Sequence, residues 1–163
     1  MIKIENLVKR YGDTVALDHL NLEIKEGEIF GLLGPNGSGK TTALNCLLAL
    51  LKYDRGEIQV FGRPMTPVSY DIRQQIGVVF QNVAVFNQMS VWENIDFFCG
   101  LYVPDSSKRK QLAEEALLFA GLENYRKKRP RQLSGGLLRR LNIACGIAHR
   151  PRIIILDEPT VAV

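Results

Sequence analysis

The stretch Gly34-Pro35-Asn36-Gly37-Ser38-Gly39-Lys40-Thr41 constrains this chain more than any other. Its spacing is G-x-x-x-x-G-K-[ST]. The apolar run Ile29–Leu33 precedes it and predicts a fully buried strand. From Thr42 to Leu51, residues Leu44, Leu47, Leu48 and Leu51 recur at helical spacing. Strand, glycine loop and helix in this order form a cradle for phosphate. The glycines permit φ values that aim successive backbone N–H groups at one point. The helix N-terminus adds the positive end of its dipole. Lys40 is placed to neutralise β- and γ-phosphate oxygens, and the Thr41 hydroxyl to ligand Mg²⁺. A flexible Gly/Ser loop is the plain alternative, and the three elements in register argue against it. The candidate nucleotide contacts are Gly34 through Thr41, with Thr42.

Composition narrows the setting. The 163 residues are 46% hydrophobic and 23% charged, a soluble, globular balance with room for a core. No stretch approaches the roughly 20 apolar residues that span a bilayer. The start, MIKIENLVKRYG, has no apolar signal region. Cys46, Cys99 and Cys145 match no metal or redox spacing, which fits reduced thiols in a cytoplasmic protein. Much of the net charge of +4 sits in Tyr125–Arg131, YRKKRPR. That run reads as a patch for nucleic acid or acidic lipid, or as a solvated linker before a helix, and its shortness and Pro130 favour the linker.

Alternation at Ile2-Lys3-Ile4 and Leu20–Ile24 predicts half-buried strands, with turns at Gly12-Asp13 and Glu26-Gly27. Asp54–Gly62 reads as turn, strand, turn, and Ile76–Phe80 as another buried strand ending at Gln81. Then the pattern turns helical. Ser90 to Glu93 has capping-box spacing and starts a helix at Val91. Pro104 breaks it. Ser106 or Ser107 caps a second helix, with Leu112, Ala116, Leu117 and Ala120 on its apolar face and Gly121 as its stop. Ser134 caps a third, running to His149. Pro151 separates this helix from a last strand, Ile153–Leu156. The chain thus reads as one α/β domain over 1–163. Residues 1–81 hold a β-rich start and half of the core, 82–131 a helical insertion, and 132–163 a return to the core.

Two further elements carry chemistry. Ile153–Leu156 runs into Asp157 and Glu158, held at the C-terminal end of a strand, where open α/β sheets bind ligands. Asp157 would sit in the shell of Mg²⁺, and Glu158 would orient and activate water as general base. Leu133-Ser134-Gly135-Gly136 opens a helix with a hydroxyl and exposed N–H groups, a second anion site whose plain alternative is an ordinary cap.

In this order the elements resemble, over essentially the whole chain, the ATP-binding subunit of an ABC transporter. The resemblance implies a P-loop NTPase (RecA-like) core with an N-terminal antiparallel β-subdomain and a helical insertion. It implies ATP and Mg²⁺ as ligands, and hydrolysis that powers a membrane permease from its cytoplasmic face. It also gives Tyr11 a stacking role on adenine and Gln81 a contact with Mg²⁺ or the attacking water. In the family two such subunits pair head to tail, as a homo- or heterodimer. Ser134, Gly135 and Gly136 of one then face the γ-phosphate held by Lys40 of the other. A groove including Val83–Trp92 would receive the permease, with Phe86 and Trp92 exposed in it, although core packing suits both as well. Segment 80–98 is similar to subunits of exporters.

The pattern departs from the family in two places. Leu137 stands where the signature LSGGQ has a glutamine, which weakens the second nucleotide contact. Family members also continue past LDEPT with a D-loop and a switch histidine. The expectation is therefore a C-terminally truncated ATPase domain, its last strands missing, Ile29–Leu33 and Ile153–Leu156 facing a gap, and its hydrolysis impaired. The alternatives are a non-hydrolysing nucleotide-binding module and, supported only by the basic run, a soluble ABC ATPase acting on nucleic acid or ribosomes.

Overall fold

Alternating apolar and charged residues make the first strand. In β1 (Ile2–Tyr11) Ile2 and Ile4 are buried while Lys3 and Glu5 face solvent. The alternation then breaks, because Leu7 and Val8 are both buried. Asn6, with φ of 49°, forms a bulge that shifts the register. A bulge inserts one unpaired residue and flips the faces beyond it. Gly56 lies against it, and a Cβ there would come 2.6 Å from the carbonyl oxygens of Glu5 and Asn6.

The computed structural model describes residues 1–157. It forms two compact units that divide between Arg73 and Gln74. In the first, β1 lies between β2 (Thr14–Ile24) and β3 (Arg55–Val60), and β4 (Arg63–Pro64) closes a four-stranded antiparallel sheet in the order β2-β1-β3-β4. The Gly12-Asp13 turn joins β1 to β2, as the sequence predicts. Helix α1 (Lys40–Leu47) buries Ala43, Cys46 and Leu47, and the short α2 (Tyr70–Arg73) buries Ile72.

Ile29–Leu33 is not a buried strand. Its residues form no ladder, Ile29 is 100% exposed and Leu33 93%. An apolar run becomes a strand only when a neighbour pairs its N–H and C=O groups, and no described strand pairs with this one.

In the second unit β5 (Ile76–Val79) and β6 (Ile153–Leu156) pair in parallel, Ile76 opposite Ile153 and Val79 opposite Leu156. Three helices share one core. Val91, Ile95 and Cys99 of α3 (Val91–Gly100) meet Leu112, Ala113, Ala116 and Leu117 of α4 (Ser106–Phe119). Leu141, Ala144 and Cys145 of α5 (Gly135–Ile147) complete it. The Ser90–Glu93 capping box forms as expected. For α4 the cap is Asp105, whose carboxylate accepts from Lys108 N–H at 2.6 Å, so Ser106 and Ser107 are its first helical residues. Gly121, with φ of 63°, ends the chain's helical course there.

The basic run is a structural joint. Arg126 and Lys128 turn their carbonyls to the start of α3, accepting from Trp92 N–H (3.1 Å) and Val91 N–H (2.8 Å). With the Ser90 hydroxyl on Glu93 N–H, the first three helical N–H groups all have partners, groups that a helix cannot satisfy by itself. Trp92 is half-buried and packs against the helical core.

Candidate functional site

The glycine loop builds its cradle within the first unit. Gly37 (φ 82°) and Gly39 (φ 90°) take left-handed conformations, and Ser38 N–H donates to the Pro35 carbonyl at 3.2 Å. Gly39 is required twice over. Besides its φ, a Cβ there would lie 2.5 Å from Ala16 O and 3.0 Å from Leu17 Cδ2, so a side chain would push α1 off β2. Gly34 faces Ser38, and a Cβ there would meet Oγ at 2.6 Å. No side chain caps α1, and its first turn holds no acid. Its N–H groups and dipole are therefore open to an anion. Lys40 Nζ donates to the carbonyls of Gly34 (2.7 Å) and Pro35 (2.9 Å), which folds the ammonium back over the loop. Gly34 through Ser38 and Thr41 are exposed, and Gly39, Lys40 and Thr42 half-buried. A polyphosphate fits this donor set: a positive charge, a hydroxyl and open backbone N–H groups.

Tyr11, 51% exposed, ends β1 opposite Thr14, with Lys9 Nζ 5.2 Å from its ring centroid. The same hairpin leads to Ala16 and Leu17, the residues that pack on Gly39.

The second unit holds the other predicted groups. Gln81 is exposed just beyond β5. Asp157 follows β6, and its N–H donates to the Val79 carbonyl at 2.9 Å, which keeps it at the C-terminal edge of the parallel pair. Glu158 lies outside the described residues. Ser134 caps α5, its Oγ accepting from Leu137 N–H at 3.4 Å, and Gly135 and Gly136 are exposed beside it. Phe86 is exposed but packs edge-on to Phe97 at 5.0 Å and stacks with Phe98 at 5.8 Å.

Sequence reasoning missed three buried polar residues in this unit: Asn94, Arg139 and Asn142. Arg139 and Asn142 bond the main chain around Gln81, and Asn94 holds the far end of the same loop. The available signal was polar side chains at positions where α3 and α5 otherwise bury apolar ones. The basic run, by contrast, spends Arg126 internally, on Glu114 (2.7 and 2.8 Å) and over the Trp92 ring.

Among the described residues no helix is long and apolar enough to cross a membrane. A family model described as "ABC transporter" matches residues 17–161. The probable sulfate/thiosulfate import ATP-binding protein CysA of Chlorella vulgaris is 44% identical over 161 residues, covering 99% of this chain and 68% of that protein. The Nod factor export ATP-binding protein I of Burkholderia orbicola is 39% identical, covering 98% of this chain and 52% of its own length. The chain thus spans between about half and two thirds of the length of these relatives. Among solved structures, the ATP-binding cassette MJ0796, described as a dimeric post-hydrolysis state bound to ADP and Pi, superposes with a TM-score of 0.85. It is 35% identical, and the match covers 100% of this chain and 76% of that one.

Proposed function

We infer that this chain, which belongs to the ABC transporter family, binds ATP on the Gly34–Thr42 loop and contributes to its hydrolysis in the service of a membrane permease. The observation that carries the reading is the loop itself: left-handed Gly37 and Gly39, an uncapped helix start, and Lys40 folded over the loop. Lys40 exchanges the carbonyls of Gly34 and Pro35 for β- and γ-phosphate oxygens, a stronger, charge-assisted contact. Tyr11 stacks on the adenine. Thr41, Gln81 and Asp157 are the residues that would hold Mg²⁺, which would supply positive charge against the phosphate oxygens. Glu158 orients and activates the attacking water, so the reaction is phosphoryl transfer to water driven by positioning and electrostatics.

Ser134, Gly135 and Gly136 present donors to the γ-phosphate held by a second ABC ATPase domain, paired head to tail. The dimeric state given for MJ0796 supports this pairing. The permease places the chain on the cytoplasmic face of the membrane. For direction, the exporter-like 80–98 segment supports export, as does the Nod factor relative, while the CysA relative is named for import.

Thermal unfolding with and without MgATP tests the nucleotide reading, with Lys40→Ala as control. At about 100 times Kd, ligand contributes about 2.7 kcal/mol, several degrees for a chain of this size. A rise that vanishes in Lys40→Ala is expected. A cooperative transition that MgATP does not move overturns the reading.

A further inference from the structure

The loop from β5 to α3 carries Gln81, and buried side chains hold its main chain at both ends. From α5, Arg139 Nη1 donates to the carbonyls of Phe80 (2.8 Å) and Gln81 (3.1 Å), and Nη2 reaches the Asp157 carbonyl at 3.5 Å. Three residues on, Asn142 Nδ2 donates to the same Phe80 carbonyl (3.2 Å), and its Oδ1 accepts from Ala84 N–H (3.3 Å). From α3, Asn94 accepts from Phe86 N–H (2.7 Å) and donates to the carbonyls of Phe86, Met89 and Ser90.

The reach of α5 depends on glycine. A Cβ at Gly77 would lie 2.5 Å from Gly146 O, and one at Gly146 would lie 2.7 Å from Val79 Cγ2. The two backbones therefore touch, and residues one and two turns earlier on α5 come level with the end of β5. Arg139 is only 9% exposed. Burying a guanidinium is costly unless its donors are engaged, and an apolar residue would fill this site without that cost. The site also differs from ordinary core packing in what it holds: main-chain groups of the two segments that bear Gln81 and Asp157.

We propose that Arg139, with Asn142, is a positioning device that ties the main chain at Gln81 and Asp157 to the helix beginning at Ser134. A displacement of α5 is thereby delivered to both segments at once. Because α5 opens with Ser134, Gly135 and Gly136, engagement of that end by nucleotide sets the placement of Gln81. This rests on the nucleotide reading above, and it assigns Arg139 an action through Gln81 and Asp157, not a contact with substrate.

Amide hydrogen exchange on the full chain tests it, for wild type, Arg139→Met, Arg139→Lys and Asn142→Ala. Without nucleotide, Arg139→Met should speed exchange at residues 80–84 by about tenfold, leaving β1 and β3 unchanged. Arg139→Lys should recover part of the loss, and Asn142→Ala should free Ala84 most. With MgATP, the variants should keep protection at residues 34–42 and lose the nucleotide-dependent protection of 80–84 seen in wild type. Turnover, where measured, should fall about tenfold in kcat with KM within about twofold. Unchanged exchange at 80–84 overturns the proposal, as does a rise spread evenly over α3, α4 and α5. Absence of MgATP protection at 34–42 in wild type rejects the nucleotide reading instead, and the nucleotide-free exchange then still decides whether the clamp exists.

Discussion

Arg126 lies over Trp92, its guanidinium carbon 3.9 Å from the ring centroid, while Nη1 holds both carboxylate oxygens of Glu114. One side chain thus joins α4 to the first turn of α3. Each contact is partly exposed: the cation–π pair is worth about 0.5–1 kcal/mol and the screened ion pair no more than about 1. Arg126→Ala should lower the unfolding free energy by about 1–2 kcal/mol. Trp92 is the single tryptophan, so its emission should shift to longer wavelength in the same variant. Unchanged emission would show that the guanidinium does not cover the ring.

Gly77 and Gly146 set the distance between α5 and β5, and neither neighbour is a flexible tip that could swing aside. Gly77→Ala should therefore cost at least the ~1–3 kcal/mol of an overpacked core. Gly136 has nothing within 4 Å of a Cβ, so Gly136→Ala should be neutral or gain a few tenths of a kcal/mol, as a helical glycine replaced by alanine does. Unfolding midpoints of the two variants, compared side by side, check the contrast. Equal losses would mean that α5 does not press on β5.

His149 stacks on Tyr102 with ring centroids 3.9 Å apart. Both ring nitrogens are buried. Burial holds its pKa below the ordinary histidine value, only partly offset by the Ile76 backbone. The folded state therefore favours the neutral ring, and the unfolded state binds the proton more readily. The contribution of His149 to stability should be flat above about pH 6.5 and should fall as pH drops below it. The lowered carboxyls of Glu93 and Asp71 act in the acid range, below the histidine window. His149→Phe keeps the stack and should flatten the profile just below about pH 6.5. A profile identical to wild type would place the titration elsewhere.

Cys46, Cys99 and Cys145 are all buried and free, and burial raises all three thiols above their ordinary range. Only thiolate reacts readily. Labelling with a thiol reagent in native buffer at pH 7.5 should be slow, and should reach all three sites at once in denaturant. A fast-reacting native thiol would show that its part of the core opens.

The local features were legible in the sequence and the long-range ones were not. The glycine loop, the Ser90–Glu93 box and the β6 run declare themselves through spacing, because their partners lie within a few residues. Ile29–Leu33 departs from its expected strand for the opposite reason: a strand is a property of a pair, and the run carries no mark of whether a neighbour exists. Asp105 takes the cap expected of Ser106 or Ser107, a shift of one or two residues that composition cannot resolve. Arg139 and Asn142 bond residues 58 to 62 positions away. Their helix shows that polar side chains occupy a buried face, and nothing in the sequence names the carbonyls they serve.

The Tyr125–Arg131 run looks in sequence like a reservoir of charge, yet what α3 uses is the spacing of two carbonyls, Arg126 and Lys128, two residues apart. Lys127, which lies between them, can be exchanged without disturbing either bond. A residue inserted or deleted there cannot be absorbed, since it would carry one carbonyl off the helix end. Related sequences should therefore vary in letters along this run while keeping its length, and any change of length should appear beyond Pro130 or before Leu122.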